Sequence, residues 1–319
     1  MYKNCSEMIP LKLDLPILHT DIKLNFKDKI FFIGSCFAEN IGNYLKTNSF
    51  DVEINPFGIV YHPIAIFNEI QQLMDNRIYT EKDLVFNQNL WHSWEHHGRF
   101  SHLDKTICLE QINLSIEKAR THLKDTKYLF LTFGSSIVYE LLEQQKIVSN
   151  CHKFPSNQFK KYFLSLEPIQ QAFDTFYRNI KAFNPDINII CTISPVRHWR
   201  DGLIENNKSK SRLIYCVHDW IEKYKNVSYF PAYELILDDL RDYRFYERDL
   251  CHPNQMGIDY VIDYFQQMYY DEPTKLYVKE IEAYLKFKQH KPQFEQEKHY
   301  KKLEALKFEL ERKFQMVIQ

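Results

Sequence analysis

The sequence predicts an α/β fold: a three-layer, doubly wound, Rossmann-like parallel sheet with helices on both faces. Two observations lead there. Short apolar runs suited to buried strands, KIFFI, KYLFLTF and INIICTI, recur along the chain, and segments with helical spacing of apolar residues separate them. Parallel neighbours need such long crossovers, whereas antiparallel ones are joined by tight turns. At 319 residues the chain is long enough to bury a sizeable core in one decorated domain.

Taken in order, Lys29 to Ile33 reads as the first strand, and Cys36 to Thr47 as a helix with Phe37, Ile41, Tyr44 and Leu45 on one face. Gly34 and Ser35 therefore occupy a strand-to-helix turn, with the serine expected to be exposed where the carboxyl edge of the sheet opens. Phe50 to Ile54 is a second strand, followed by the loop NPFGIVYHP and a helix from Pro63 to Met74 whose proline suits a first turn. Residues 79–108 change character to short polar and aromatic pieces, expected to be an inserted hairpin or loop. The alternation resumes with a helix near Glu110 to Lys124, the strand KYLFLTF, a helix near Glu167 to Phe183 and the strand INIICTI. A helix near Glu205 to Tyr224, the strand VSYF and a last core helix over Asn254 to Tyr270 follow. The expected domain spans 1–275, and the charged sequence of 276–319 reads as a peripheral helical appendage with Leu303, Leu306, Phe308 and Leu310 as its apolar positions.

Composition narrows the class of function. Hydrophobic residues make up 45% and aromatics 15%, a packed globular composition. The 41 basic and 42 acidic side chains nearly cancel, so no global field draws the chain to nucleic acid or to an anionic membrane. The 7 cysteines include no CxxC pair, and several lie in apolar runs; they read as reduced thiols, hence a cytoplasmic protein. MYKNCSEMIPLKLDLPI lacks the uninterrupted apolar stretch of a secretory leader. No membrane span, cofactor or metal is expected, and the sequence leaves the oligomeric state open.

Ligands of open α/β sheets bind outside the carboxyl ends of the strands. Four segments there carry reactive or donor groups, Gly34-Ser35-Cys36, Asn55-Pro56-Phe57-Gly58, Gly134-Ser135-Ser136 and Ser194 to His198, and a fifth, Arg248 to Pro253, lies just before the final core helix. A serine needs a positioned base to become a nucleophile at neutral pH, histidine suits that task, and a carboxylate orients the imidazole. Asp249 and His252, three residues apart in a turn, can face one way. Taken alone, Ser35 reads first as a helix N-cap, and Asp249 and His252 can simply cap the next helix; Cys36 is a competing thiol nucleophile. His92 and His96 have the i, i+4 spacing of a helical metal pair, but with Trp91, Trp94 and Phe100 around them they read better as the lining of a substrate cleft. Arg197 and His198, after a strand, suit an anionic or polar substrate.

In that order, FIGSCFAENI, NPFGIVYHP, LTFGSSIVYE, ISPVRHWRDG and RDLCHP strongly resemble the GSCFA family of SGNH/GDSL-like hydrolases, over about Phe31 to Phe265. The resemblance implies an SGNH hydrolase-type fold with Ser35 as nucleophile and Asp249 and His252 completing the triad. It implies an oxyanion hole from the Ser35 and Gly58 N–H groups, helped by Asn55 or by the Gly134–Ser136 turn. Tyr61, His92, Trp94, His96, Arg197 and His198 are the residues expected to meet substrate. The sequence departs from the pattern where Ser136 stands in place of an asparagine, and removal of one oxyanion donor lowers turnover by about 10²- to 10³-fold elsewhere. The function expected is cleavage of an O-acyl ester, such as O-acetyl, of a carbohydrate or small metabolite. The alternative is a catalytically weak or inactive relative that binds a glycan or metabolite in the same cleft.

Overall fold

Five strands, β1 (Ile30–Gly34), β2 (Val52–Ile54), β5 (Tyr128–Phe133), β9 (Asn188–Ile193) and β10 (Val227–Phe230), form one parallel sheet in the order β10-β9-β5-β1-β2. The computed structural model describes residues 14–290 and 296–318. The leader reading of the N-terminus and Cys5 lie largely or wholly outside the described residues. Within them no helix is long and apolar enough to cross a membrane.

The central strands read as continuous apolar runs because both faces of the sheet are covered. Phe31, Ile33, Leu129, Leu131, Ile189 and Cys191 point into one core, completed by α2 (Pro63–Met74), α3 (Lys105–Lys124), α4 (Leu166–Phe183) and α5 (Leu203–Lys223). Ile30, Phe32, Tyr128, Phe130 and Ile190 point into the other, under α1 (Cys36–Thr47), α6 (Ala232–Glu234) and α7 (Gln255–Tyr269). Phe32 and Phe130 are register partners on β1 and β5, and their rings stack at 4.5 Å. The helix near Glu110 begins earlier than its apolar pattern indicated, at Lys105, because the Asp104 carboxylate caps it by accepting the N–H groups of Thr106 and Ile107.

The excursion at 79–108 contains the antiparallel hairpin β3 (Leu84–Asn87) and β4 (Leu90–Ser93). Gln88 and Asn89 at its tip both have positive φ, 50° and 62°, as a two-residue hairpin turn requires. A second small sheet was not foreseen. β6 (Ile137–Leu141), β7 (Lys146–Val148) and β8 (Phe159–Phe163) pair antiparallel in the order β7-β6-β8. Its strands are short and mostly half-buried, so their sequence carries little apolar alternation.

The C-terminal segment is also more closely integrated than its charge implied. α8 (Glu272–Gln289) buries Tyr277, Val278, Ile281 and Tyr284. Phe26 stacks on Tyr277 at 4.3 Å, and Phe314 of α9 (Gln296–Phe314) meets the edge of both rings. These helices complete the second core instead of standing apart, and residue 276 falls inside α8.

From β1 the chain moves outward to edge strand β2 and then returns to the opposite side of β1 at β5. Crossovers on the two sides leave from the carboxyl ends of β1 and β5 in opposite directions, which opens the crevice where ligands of such sheets bind. That reversal positions the site.

Candidate active site

At the carboxyl end of β1, Gly34 has φ +139°, and a Cβ there would lie 2.1 Å from the Thr132 carbonyl oxygen. No other residue fits so close to β5. Ser35 follows in extended conformation as the N-cap of α1, its N–H donating to Thr132 O at 3.2 Å and its Oγ accepting from Phe37 N–H at 3.3 Å. The serine is 0% exposed, a correction to the exposed position expected.

The loop from Asn55 to Tyr61 runs beside it. Asn55 N–H donates to Phe32 O, Val60 N–H to Gly34 O, and the N–H groups of Gly134 and Ser135 donate to Tyr61 O. The loop is thus fastened across the carboxyl ends of β1 and β5. Asn55 has φ +45°; its Oδ1 accepts from Gly34 N–H at 2.8 Å and its Nδ2 donates to Glu39 at 3.2 Å. Arg99, from the hairpin region, donates to Asn55 O and pairs with Glu39. Gly58 has φ +88°, and a Cβ there would strike His97.

These bonds bear directly on the oxyanion donors expected. Ser35 N–H is given to Thr132 O, Gly58 N–H to Asn55 O at 2.7 Å, and Gly134 N–H to Tyr61 O at 2.7 Å. Ser136 is 0% exposed, and both its N–H and its Oγ bond Ser209 Oγ, at 2.7 and 3.2 Å. In this conformation each proposed donor already has an acceptor within the protein.

Asp249 and His252 are brought together as the spacing anticipated. His252 Nδ1 donates to Asp249 Oδ2 at 2.6 Å, while Asp249 Oδ1 accepts the N–H groups of Cys251 and His252 at 2.8 and 3.0 Å. Leu250, at φ +57°, makes the turn that permits this. The backbone N–H of His252, then that of Cys251 and the imidazole, hold the Asp249 carboxyl at about 2, below the usual carboxylate range. The pair is solvent-exposed, with His252 Nε2 free of any partner among the described residues.

Cys251 docks this loop on the segment after β9: Arg197 N–H donates to Cys251 O at 3.3 Å, and the Cys251 thiol donates to Arg197 O at 2.8 Å. The Asp–His pair therefore belongs to the carboxyl end of β9, two strands from β1, an offset of about 10 Å at ordinary strand spacing. His198 and Tyr61 lie in the intervening region. Their rings meet edge to face at 5.3 Å, His198 feels the charge of His252, and Tyr61 that of Cys36. Burial, followed by the charges of Lys210 and His252, pushes the His198 imidazole down to about 4. No hydrogen bond joins Ser35 Oγ to His252 among the described residues.

The aromatic and histidine-rich stretch does not line an open cleft. His92 is buried on β4, bonded to Ser101 and to Asn87 O, and stacked on His152 at 4.4 Å. Trp94 packs with Leu141, Val148, Phe154 and Phe159 in a small core of its own. His96 is 0% exposed, stacked on Phe57, and burial pushes it down to about 3. These side chains anchor the excursion and, through His97 N–H to Phe57 O at 2.8 Å, hold the Asn55–Tyr61 loop. His92 and His96 are not on one helix, and no group of three His, Cys, Asp or Glu among the described residues is arranged to hold a metal ion.

Lys210 escaped the sequence reading, since KSKSR looks like a solvated helix face. The structure buries it at 1% exposure with Nζ donating to Ser194 O at 2.6 Å, close enough for charge interaction with Cys36 and His198. Burial pushes the ammonium down to about 7. The signal was periodicity: Asn206, Ser209, Lys210, Leu213, Val217 and Trp220 are the buried face of α5.

The model of the GSCFA family matches residues 29–265. No curated protein sequence matches the chain. Among solved structures, the chain is similar at 8% identity and a TM-score of 0.37 to a carbohydrate esterase family 3 protein from Talaromyces cellulolyticus, covering 80% of this chain and 99% of that one. A family 3 carbohydrate esterase of Clostridium thermocellum is similar at 12% identity and a TM-score of 0.34, over 76% of this chain and 94% of that one. An acetyl xylan esterase from the rumen bacterium Butyrivibrio proteoclasticus is similar at 9% identity and a TM-score of 0.37, over 80% of this chain and 66% of that one.

Proposed function

Because the chain belongs to the GSCFA family, we propose that it is an SGNH-type serine hydrolase that removes an O-acyl group, foremost acetyl, from a hydroxyl of a carbohydrate or small metabolite. The observation that carries this reading is the preformed Asp249–His252 pair, with Nδ1 held at 2.6 Å and Nε2 open. A carboxylate bonded to Nδ1–H leaves Nε2 as the basic nitrogen, the tautomer a general base needs.

In this reading Ser35 Oγ leaves its bond to Phe37 N–H and attacks the ester carbonyl while His252 Nε2 takes the hydroxyl proton. Collapse of the tetrahedral intermediate expels the alcohol, which receives that proton, and leaves an acyl-serine. Water, deprotonated by His252, then attacks the acyl-serine; His252 returns that proton to Ser35 as the carboxylic acid departs, and the acid ionises in solvent. Because Ser35 is buried and its neighbouring donors are engaged, productive binding requires the Asn55–Tyr61 loop to move and the His252 loop to approach. We assign the protein to the cytoplasm, a reading supported by the six described cysteines all being free thiols.

The second reading, a binding protein with weak or no catalysis, is favoured by the engagement of every expected oxyanion donor and by Ser136 in place of asparagine. A fluorophosphonate probe with mass mapping separates the two. Adduct at Ser35, absent in Ser35→Ala, together with turnover of short acyl esters is the result expected of the hydrolase. A folded protein that neither labels nor turns over such esters would sink the hydrolase reading.

A further inference from the structure

A pocket of about 500 Å³ opens beside the Asp249–His252 loop, between α5 and the chain that follows β10. Its walls include Arg197, Tyr233, Asp238, Arg241, Tyr243 and Tyr246. This volume is in the range of small-molecule sites. The backbone that builds it is irregular in a specific way: Leu235–Leu240 form a π-helical turn, and Arg241 ends it at φ +50°. Such insertions occur frequently at functional sites.

Arg197 gives the pocket its chemistry. Its guanidinium forms no ion pair among the described residues, and its Nε is buried without a hydrogen-bond partner. With no carboxylate of the described residues to neutralise it, a guanidinium in the pocket wall favours an anionic ligand. Tyr233 and Tyr246 share the pocket wall with Arg197. Asp242 does not neutralise it, being held by Arg244 at 2.8 Å. Asp238 remains as an acceptor for hydroxyl groups. A planar fork for an oxyanion, tyrosine rings for the apolar face of a pyranose and a carboxylate for hydroxyls together describe an acidic sugar.

We propose that this pocket binds an acidic sugar, a pyranose bearing a carboxylate or phosphate that pairs with Arg197. Arg197 is locked by both backbone groups to Cys251, so the pocket and the His252 loop share a wall residue's anchor. The assignment of this sugar as the alcohol part of the ester rests on the hydrolase reading; the binding itself does not.

The test uses the full chain carrying Ser35→Ala, so that binding is read whether or not the protein hydrolyses esters. Titration calorimetry with glucuronic acid, glucose 6-phosphate and glucose is expected to show an acidic sugar binding at least about tenfold more tightly than glucose. Which acidic sugar binds distinguishes carboxylate from phosphate. Arg197→Met added to this chain is expected to remove the preference, and Tyr243→Ala, at an exposed pocket wall, to weaken binding of all three sugars. No preference for either acidic sugar, or a preference that survives Arg197→Met, overturns the proposal. If Arg197→Met does not fold, unchanged binding in the Tyr243→Ala chain overturns it. Ester turnover by the wild-type protein without acidic-sugar binding would leave the hydrolase standing and remove this pocket from it.

Discussion

The side chain of Asn55 accepts the Gly34 N–H at 2.8 Å, so an asparagine expected to help an oxyanion instead braces the turn that presents the serine. Replacement by alanine strands a buried N–H and leaves a non-glycine residue at φ +45°. Asn55→Ala should therefore lose about 1–3 kcal/mol of stability, read as a lowered midpoint in urea. An unchanged midpoint would mean that the loop is held by its backbone bonds alone.

Asp249→Asn keeps an oxygen to accept the N–H groups of Cys251 and His252 but no longer favours the Nδ1–H tautomer. Ester turnover is expected to fall by about 10²-fold or more with the circular dichroism spectrum unchanged. Turnover within a factor of about two of wild type would take Asp249 out of the mechanism.

Lys210 makes stability depend on pH. Its folded-state value, about 7, lies below the ordinary lysine value, so between the two the unfolded chain binds more protons than the folded one. The penalty for burying the ammonium is full below about pH 7 and fades as pH rises toward the unfolded value. The stability difference Lys210→Met minus wild type should shrink by about 2–3 kcal/mol from pH 6 to pH 9. Loss of the bond to Ser194 O adds a pH-independent offset. Parallel stability curves for the two proteins would place the ammonium in contact with solvent.

Cys36 is half-buried, and burial followed by the Glu39 charge raises its thiol above the usual value. A protonated thiol is a poor nucleophile. Cys36→Ala should retain fluorophosphonate labelling at Ser35, mapped by mass; labelling that vanishes with the thiol would restore Cys36 as the nucleophile.

Much of the sheet was legible because burial on both faces writes itself into the chain as apolar runs, and crossover helices write 3.6-residue spacing between them. The helices Cys36–Thr47 and Pro63–Met74 were readable in sequence, since a capping serine and a first-turn proline mark their starts. The small sheet of β6, β7 and β8 was not, because half-buried strands of 3–5 residues alternate too briefly to stand out. Lys210 was hidden by its charge, which outweighed its position on the apolar face of α5. The histidine cluster misled in the opposite sense: residues that look available in sequence, His92 and His96, are spent on Ser101, Asn87 and Ser93.

By itself the sequence determined a parallel α/β core, the strand-to-helix turn at Gly34-Ser35 and the local pairing of Asp249 with His252. All of these are set by short-range patterns: apolar periodicity, a glycine and a serine between a strand-like run and a helical one, and two side chains three residues apart. Tertiary structure alone decided that Ser35 is buried beside the Asn55–Tyr61 loop, that its expected donors are engaged, and that Arg197, with no ion pair among the described residues, lines a pocket. Those outcomes depend on which strands become neighbours and which loop closes over their carboxyl ends, contacts between segments distant in sequence that no local pattern encodes.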